Sequence, residues 1–394
     1  MKSYFLFALV SAAILTTACN KDEETSINPN PSNSGNGTPS TEIDTNYMVG
    51  QYKPERQLTL LTENGESQPF TWETTEPYRL VSAGPDGSLR TFDYDAHDRQ
   101  SVVHIPASST MGAQTLSFEY SGDHLAQFNL SGNTGNTLIQ AATTYDGNRI
   151  QTAYYSEIDE SVIGGFIDDF LNTQRKDLVD YFAISNLQTE YSWVGSNVTQ
   201  EHITADGTVD IQVGELIELL HLDTSVYRLI LDNAGLDPQI ASFITPELIA
   251  TFFDMMADSN CHIIIDVDLN LLYSYDGHPN PLYGFWGWGF LGNTRVLSIN
   301  NILAVNREGL TTAYISINLP TEVPNNYDFA TTLKLTLILN YLNSQYPDGF
   351  RYNYPIDLEG EEHNSYTYDK LGWPTSCVNT NGESQSTTTF SYDR

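Results

Sequence analysis

Beyond residue 90 the chain alternates apolar or aromatic residues with polar ones and breaks the alternation at short polar steps. The stretches TFDYDAHDRQ (91–100), LSFEYSGDHLAQF (116–128), TTYDGNRIQTAYY (143–155), LYSYDGHPN (272–280), SYTYDKLGWPTSCV (365–378) and FSYDR (390–394) share the scheme. A period of two puts the rings on one face of a strand. The Asp with Gly or Asn that follows supplies the positive-φ positions of a tight turn. Recurrence at about 25 residues predicts stacked hairpins, a twisted antiparallel β meander, and not a doubly wound fold.

Between about 157 and 259 the period changes to that of a helix. Val162, Ile163, Phe166, Ile167, Phe170 and Leu171 share one helical face behind Ser161 as cap. Leu216, Leu219 and Leu220 begin a second run that Tyr227, Ile230 and Leu231 extend. TPELIATFFDMM opens a third, with Thr245 as N-cap, Pro246 at the first helical position, and Leu248, Ile249, Phe252, Phe253 and Met256 as its stripe. Between them, 185–203 predicts one more hairpin turning at Gly195-Ser196-Asn197. Strands return in HIIIDVDLNLLYSY. TTLKLTLILNYL also predicts a strand, from the series Leu333, Leu335, Leu337, Leu339, Tyr341, with a helix as the alternative because leucine is a good helix former. The class is therefore mainly β with a helical insertion (α+β).

The first 18 residues carry one Lys and an apolar run too short for a stable membrane span, and end in small residues before Cys19. They predict a cleaved export signal. Ala18-Cys19 resembles a bacterial lipobox, although Thr16 stands where Leu is usual, and Lys21-Asp22-Glu23-Glu24 resembles the signal that carries Bacteroidetes lipoproteins to the outer face of the outer membrane. The resemblance implies lipidation at Cys19 and an outer-membrane, lipid-anchored protein facing the cell exterior. Residues 19–45, rich in Asn, Pro, Ser, Gly and Thr, read as a flexible tether, and 46–394 as the folded body.

Charge narrows the partners. Of 394 residues, 50 are acidic and 17 basic, a formal net charge of −33. Phosphate-rich surfaces reward clustered Lys and Arg, so no nucleic acid is expected. After Cys19 only Cys261 and Cys377 remain. An oxidising export route permits a disulfide between them, while the strand parity that Cys261 shares with Ile263, Ile265 and Val267 equally predicts a buried thiol.

The repeated Tyr-x-Tyr-Asp segments resemble the YD-repeat pattern. More narrowly, NPLYG (280–284), SINN (298–301) and YTYDKLGWPTS (366–376) resemble signatures of a family of Bacteroidetes lipoproteins of unknown function whose description mentions a porphyrin ligand. The likeness runs from about Tyr94 to the C-terminus, interrupted by the helical insertion. It implies a tetrapyrrole as a candidate cofactor or ligand.

Candidate chemistry centres on HPNPLYGFWGWGFLGN (278–293). Its prolines and glycines forbid a long regular element, so Tyr283, Phe285, Trp286 and Trp288 fall on loops or bent strands. Open, these rings would form a platform for a flat ring or a glycan; buried, they would plug the junction between the sheet and the helical insertion. His278 beside them is a candidate axial ligand for a metallated tetrapyrrole, with Met255 and Met256 as softer alternatives. On the polar face of HIIIDVDLN, His262, Asp266 and Asp268 are a candidate metal set. No GxSxG, HExxH or P-loop occurs, which leaves an enzyme unproven rather than refuted, and the expected activity is non-enzymatic binding of an extracellular small molecule or glycan. A protein-interaction scaffold and a hydrolase with an unidentified carboxylate pair are the rivals.

Overall fold

The computed structural model describes residues 50–85, 87–107, 112–159, 182–219, 242–286, 294–382 and 384–393. The expected Ser161 and Tyr227 helical runs, Trp288, Cys19 and the tether lie outside them. Seventeen strands form one antiparallel sheet: β1 (Leu58–Glu63), β2 (Glu66–Trp72), β3 (Leu80–Ala83), β4 (Arg90–Tyr94), β5 (Gln100–Ile105), β6 (Gln114–Ser121), β7 (His124–Gly132), β8 (Thr137–Asp146), β9 (Arg149–Ile158), β10 (Phe182–Val194), β11 (Asn197–Gln212), β12 (Asn260–Pro279), β13 (Asn300–Ile317), β14 (Phe350–Asp357), β15 (Gly360–Tyr368), β16 (Pro374–Asn381) and β17 (Ser384–Tyr392). Neighbours in sequence pair, apart from β14 and β15, and β17 pairs with β1. β14 follows Leu310–Ile317 of β13 and β15 follows Ala304–Arg307, so these two run on as one stave. The result is a closed barrel of 16 staves.

The meander of hairpins is therefore present. One turn is not: Asp276-Gly277, expected to end a strand, lies inside β12, which continues to Pro279 through irregular register with β13.

The staves end at two unlike rims. At one, the strap end, the chain enters through residues 50–57 and most connections are tight turns. At the other, the helix end, lie α1 (Val213–Leu219), α2 (Pro246–Met255) and α3 (Phe329–Gln345). There β10 to β14 rise past the ring as an extension, with Phe182–Ser185, Asp206–Gln212, Cys261–Asp266, Leu310–Ile317 and Phe350–Asp357 pairing among themselves. α2 touches both α1 and α3. It forms as its sequence predicts, the Thr245 side chain accepting from Leu248 N at 3.3 Å. Leu248, Ile249, Phe252 and Phe253 are buried.

α3 corrects the expected strand. Asp328 caps it, accepting from Ala330 N and Thr331 N, and Leu335, Ile338, Leu339 and Leu342 are buried at helical spacing. Leu333 and Leu337 point outward instead. The alternation of leucines was coincidental, and their helix propensity with a capping Asp decided the segment.

One pattern closes the strap end. Each ascending strand and the descending strand that follows form a pair, and in every such pair but one the descending strand ends on a ring that bonds the backbone where the ascending strand begins. Trp72 Nε1 donates to Leu58 O at 2.8 Å, Tyr94 Oη to Leu80 O at 2.9 Å and Tyr120 Oη to Gln100 O at 2.6 Å. Tyr145 Oη accepts from Leu125 N at 3.0 Å, and Trp193 Nε1 donates to Ile150 O at 2.8 Å. Tyr275 donates to Val198 O, and Tyr392 to Pro374 O at 2.9 Å. The exception is Tyr368 of β15, which donates to the Asp276 carboxylate. The Asp of the repeat shapes the turn that follows. Asp95 Oδ1 accepts from His97 N and Arg99 N, and Asp369 Oδ1 from Leu371 N and Trp373 N, all at 2.8–3.0 Å. The repeat thus encodes a ring that fastens one hairpin and a carboxylate that folds the chain into the next.

Candidate functional site

The aromatic loop after β12 enters the strap end as a stopper. Asn280 sets its fold, taking Leu282 N on Oδ1 at 3.0 Å and giving Nδ2 to Ser298 O at 2.8 Å. Gly284, at φ 80°, donates N–H to Val296 O at 2.8 Å. Phe285 is thereby delivered among Tyr52, Phe70 and Phe92, with ring centroids 5.0, 5.7 and 5.6 Å away, and Trp286 stands edge-on to Phe118 at 5.6 Å. Both rings are 0% exposed. This corrects the expected open platform, and also the expected junction with the helical insertion, since the loop packs at the strap end: with Leu282 also buried and Tyr283 half-buried, its described part is core. Large rings drawn into a lumen lined by Phe and Leu gain more by burial than by standing in water.

The three signature segments meet behind the stopper. Asp276 is the hub, accepting from His278 N at 2.9 Å, from Asn301 N and Nδ2 at 3.2 Å and from Tyr368 Oη. Burial raises its pKa, against the bonds that favour the carboxylate. His278 lies flat on Tyr368 with centroids 3.9 Å apart, and its Nδ1 is 3.1 Å from Gly372 O, so that nitrogen carries the proton. One ring face and one nitrogen of the expected axial ligand are thus engaged in packing. Met256 is buried core at the helix end, Met255 partly buried beside it.

The expected metal set does not converge. His262 Nδ1 is 2.6 Å from Asp210 Oδ1, and Asp268 Oδ1 is 2.9 Å from His202 Nε2, two separate cross-strand pairs on the outer surface. Asp266 faces Asp206. Among the described residues no three His, Cys, Asp or Glu are placed to hold a metal ion.

At the helix end a concavity of about 600 Å³ is lined by Asp210, Gln212, Glu215, Cys261, His262 and Asn318 among others. Cys261 and His262 do not form a reactive pair, because successive strand residues face opposite sides. The thiol is buried, and burial with the nearby Asp210 pushes it up to about 12. Cys261 and Cys377 are both buried thiols not joined to each other, which decides against the disulfide. Two further buried acids, Glu201 and Glu362, bond Tyr273 Oη and Asn379 Nδ2. Neither lines that concavity.

Sequence reading missed the strap. Tyr52 is buried between Trp72 and Phe285, Arg56 pairs with Asp369, and Lys53 lies 3.5 Å from Asp98. The signal available was a Tyr and two cations in the short interval between tether and first strand.

The barrel is largely apolar within and polar without, with Val81, Tyr154, Ile264, Leu303 and Tyr314 as exposed apolar exceptions and Glu201, Glu362, Asn364 and Thr388 as buried polar ones. On β6, Leu116 and Phe118 are buried while Thr115, Ser117 and Glu119 face out. On β17 the outward residues are Gln385, Thr387, Thr389 and Ser391. A membrane-spanning barrel of this size has the reverse arrangement, an apolar band towards lipid and a wet lumen. No described helix is long and apolar enough to cross a membrane, which says nothing of the barrel itself.

The chain matches no family model and no curated protein. The YD-repeat and porphyrin-associated families thus gain no support. Solved structures that align with it include a porin-like protein from Bacteroides vulgatus ATCC 8482, 9% identical over 86% of this chain and 99% of that one, with a TM-score of 0.32. A porin-like protein from Bacteroides uniformis ATCC 8492 is 9% identical over 85% and 98%, with a TM-score of 0.28. Likeness at this level transfers no function. The class is set by the chain's own pairing: a closed antiparallel barrel of 16 staves with a largely polar outer face.

Proposed function

We propose that this chain is a lipid-anchored protein of the outer bacterial surface, whose barrel is a rigid, non-enzymatic body holding a protein-binding end away from the membrane. The observation that carries the reading is the inversion of polarity just described, which suits a body surrounded by water and held by its N-terminal tether. The strap end receives the chain from the tether side, and the helix end is at the far rim of the staves. There α3 turns Phe329, Leu333 and Leu337 outward, 85%, 50% and 45% exposed, spaced by four residues on one helical face. An apolar row on an otherwise acidic surface favours a protein partner. The tetrapyrrole or glycan reading rested on rings of which two are now core.

The test is protease treatment of intact cells with and without the anchor. Wild-type protein should fractionate with the outer membrane and be digested by added protease, whereas Cys19→Ser should leave the membrane fraction with its fold unchanged. Wild-type protein found free in the periplasm, or Cys19→Ser still membrane-bound, would refute the reading.

A further inference from the structure

We propose that the strap Gly50–Arg56 is a releasable latch on the aromatic stopper: seated, it seals the end of the barrel, and withdrawn by a pull from upstream, it opens the stopper while the staves stay paired. The latch is a property of the barrel itself, whether or not Cys19 carries lipid.

The seat is specific. Gly50 has φ 86°, and its carbonyl accepts from Gln100 N at 2.9 Å. A Cβ there would stand 2.1 Å from Tyr120 Oη, so only glycine fits. Two residues on, the Tyr52 ring enters a slot walled by Trp72 at 5.4 Å and Phe285 at 5.0 Å, and its hydroxyl donates to Pro281 O at 2.8 Å. Gln100 completes the coupling, because the residue that holds Gly50 also donates its Nε2 to Gly284 O at 3.3 Å. Strap and stopper therefore share a wall, a hydrogen bond and a common partner.

The hold is also separable from the barrel. The strap belongs to no strand, so it can leave without breaking a ladder bond. Its ion pairs, Lys53 with Asp98 and Arg56 with Asp369, are partly exposed and weak individually. Local opening of such a segment precedes global unfolding when its contacts are few beside those of the sheet. Once Tyr52 leaves, the Phe285 face and the Pro281 carbonyl border an empty slot, and the aromatic segment is joined to solvent.

Hydrogen exchange on the full chain tests this, reading the amides of Leu282, Gly284 and Phe285, which bond Asn280 Oδ1, Val296 O and Leu282 O. Gly50→Ala and Tyr52→Ala should each speed their exchange at least about tenfold while the β7–β8 hairpin keeps wild-type protection. Lys53→Ala with Arg56→Ala removes the two ion pairs and the Arg56 contact with the Tyr392 ring while leaving Gly50 and Tyr52 in place, and should give a smaller rise of about threefold. Unchanged stopper exchange in the variants would overturn the latch. So would a parallel rise in β7–β8, which would make the strap an ordinary part of the global fold.

Discussion

Phe285 and Trp286 are the residues on which the ligand question turned, and their setting converts them from binding groups to keystones. Each is an aromatic side chain in a filled lumen, and truncation of such a group costs about 3–5 kcal/mol through lost transfer energy and the cavity left behind. Trp286→Ala and Phe285→Ala should each lower the urea midpoint by that equivalent with little change in slope; a change below about 1 kcal/mol would mean that the rings are not packed as described. The turn aspartates make a second prediction. Burial alone would raise the Asp95 carboxyl, but the Arg99 guanidinium and the Arg99 and His97 amides overcome it and hold its pKa below the ordinary value. Asp98 is lowered by its bond to Arg79. At Asp369 burial again pulls upward, and the Trp373 and Leu371 amides together with Arg56 outweigh it, so its pKa too is lowered. A depressed folded-state pKa gives stability that is present above the unfolded value and lost as pH falls through the folded one. Asp276, raised by burial, has the opposite sign, its cost vanishing below the unfolded value. Three carboxylates outweigh one, so stability should decline as pH drops below about 4, and Asp369→Asn should flatten the decline. Thermal melts from pH 7 to pH 2 read both; an unchanged slope in Asp369→Asn would show that this carboxylate contributes nothing to the acid transition.

At the scale of elements, the hairpins were legible because the repeat states their two needs together, a terminal ring and a turn aspartate. Tyr94-Asp95 carries both in adjacent residues, while Tyr368-Asp369 keeps the turn aspartate and sends its ring to Asp276. α2 was legible for a similar reason, since Thr245-Pro246 marks its start. α3 was not, because five alternating apolar residues fit a strand as well as a helix and only the buried partners distinguish them. Asp276-Gly277 has turn chemistry without a turn, its carboxylate having been taken by Asn301 and Tyr368 from other strands. Long-range demands of that kind leave no mark on a local pattern. The helix assignment has its own test: Leu335→Ser, facing the core, should cost at least about 2 kcal/mol, while Leu333→Ser and Leu337→Ser should stay within about 0.5 kcal/mol. A strand would instead put Leu333, Leu335 and Leu337 on one face, and the three substitutions would cost alike.

For the molecule as a whole, strand number and wall polarity point in different directions, and polarity decides. A ring of 16 staves is wide enough for an aqueous pore. Here the lumen holds Phe70, Phe92, Phe118, Phe128 and the stopper, and on β17 Ser, Thr and Gln face outward. Such a wall exposed to hydrocarbon would strand its hydroxyls and amides without partners. Membrane attachment should therefore be removable without harm to the barrel. The most direct measurement is detergent phase partition of the wild-type and Cys19→Ser chains, followed by conductance across a planar bilayer. Wild-type protein should enter the detergent phase, and Cys19→Ser the aqueous phase as a folded, β-rich protein that adds no conductance. Cys19→Ser found in the detergent phase, or discrete channel currents from either chain, would contradict it.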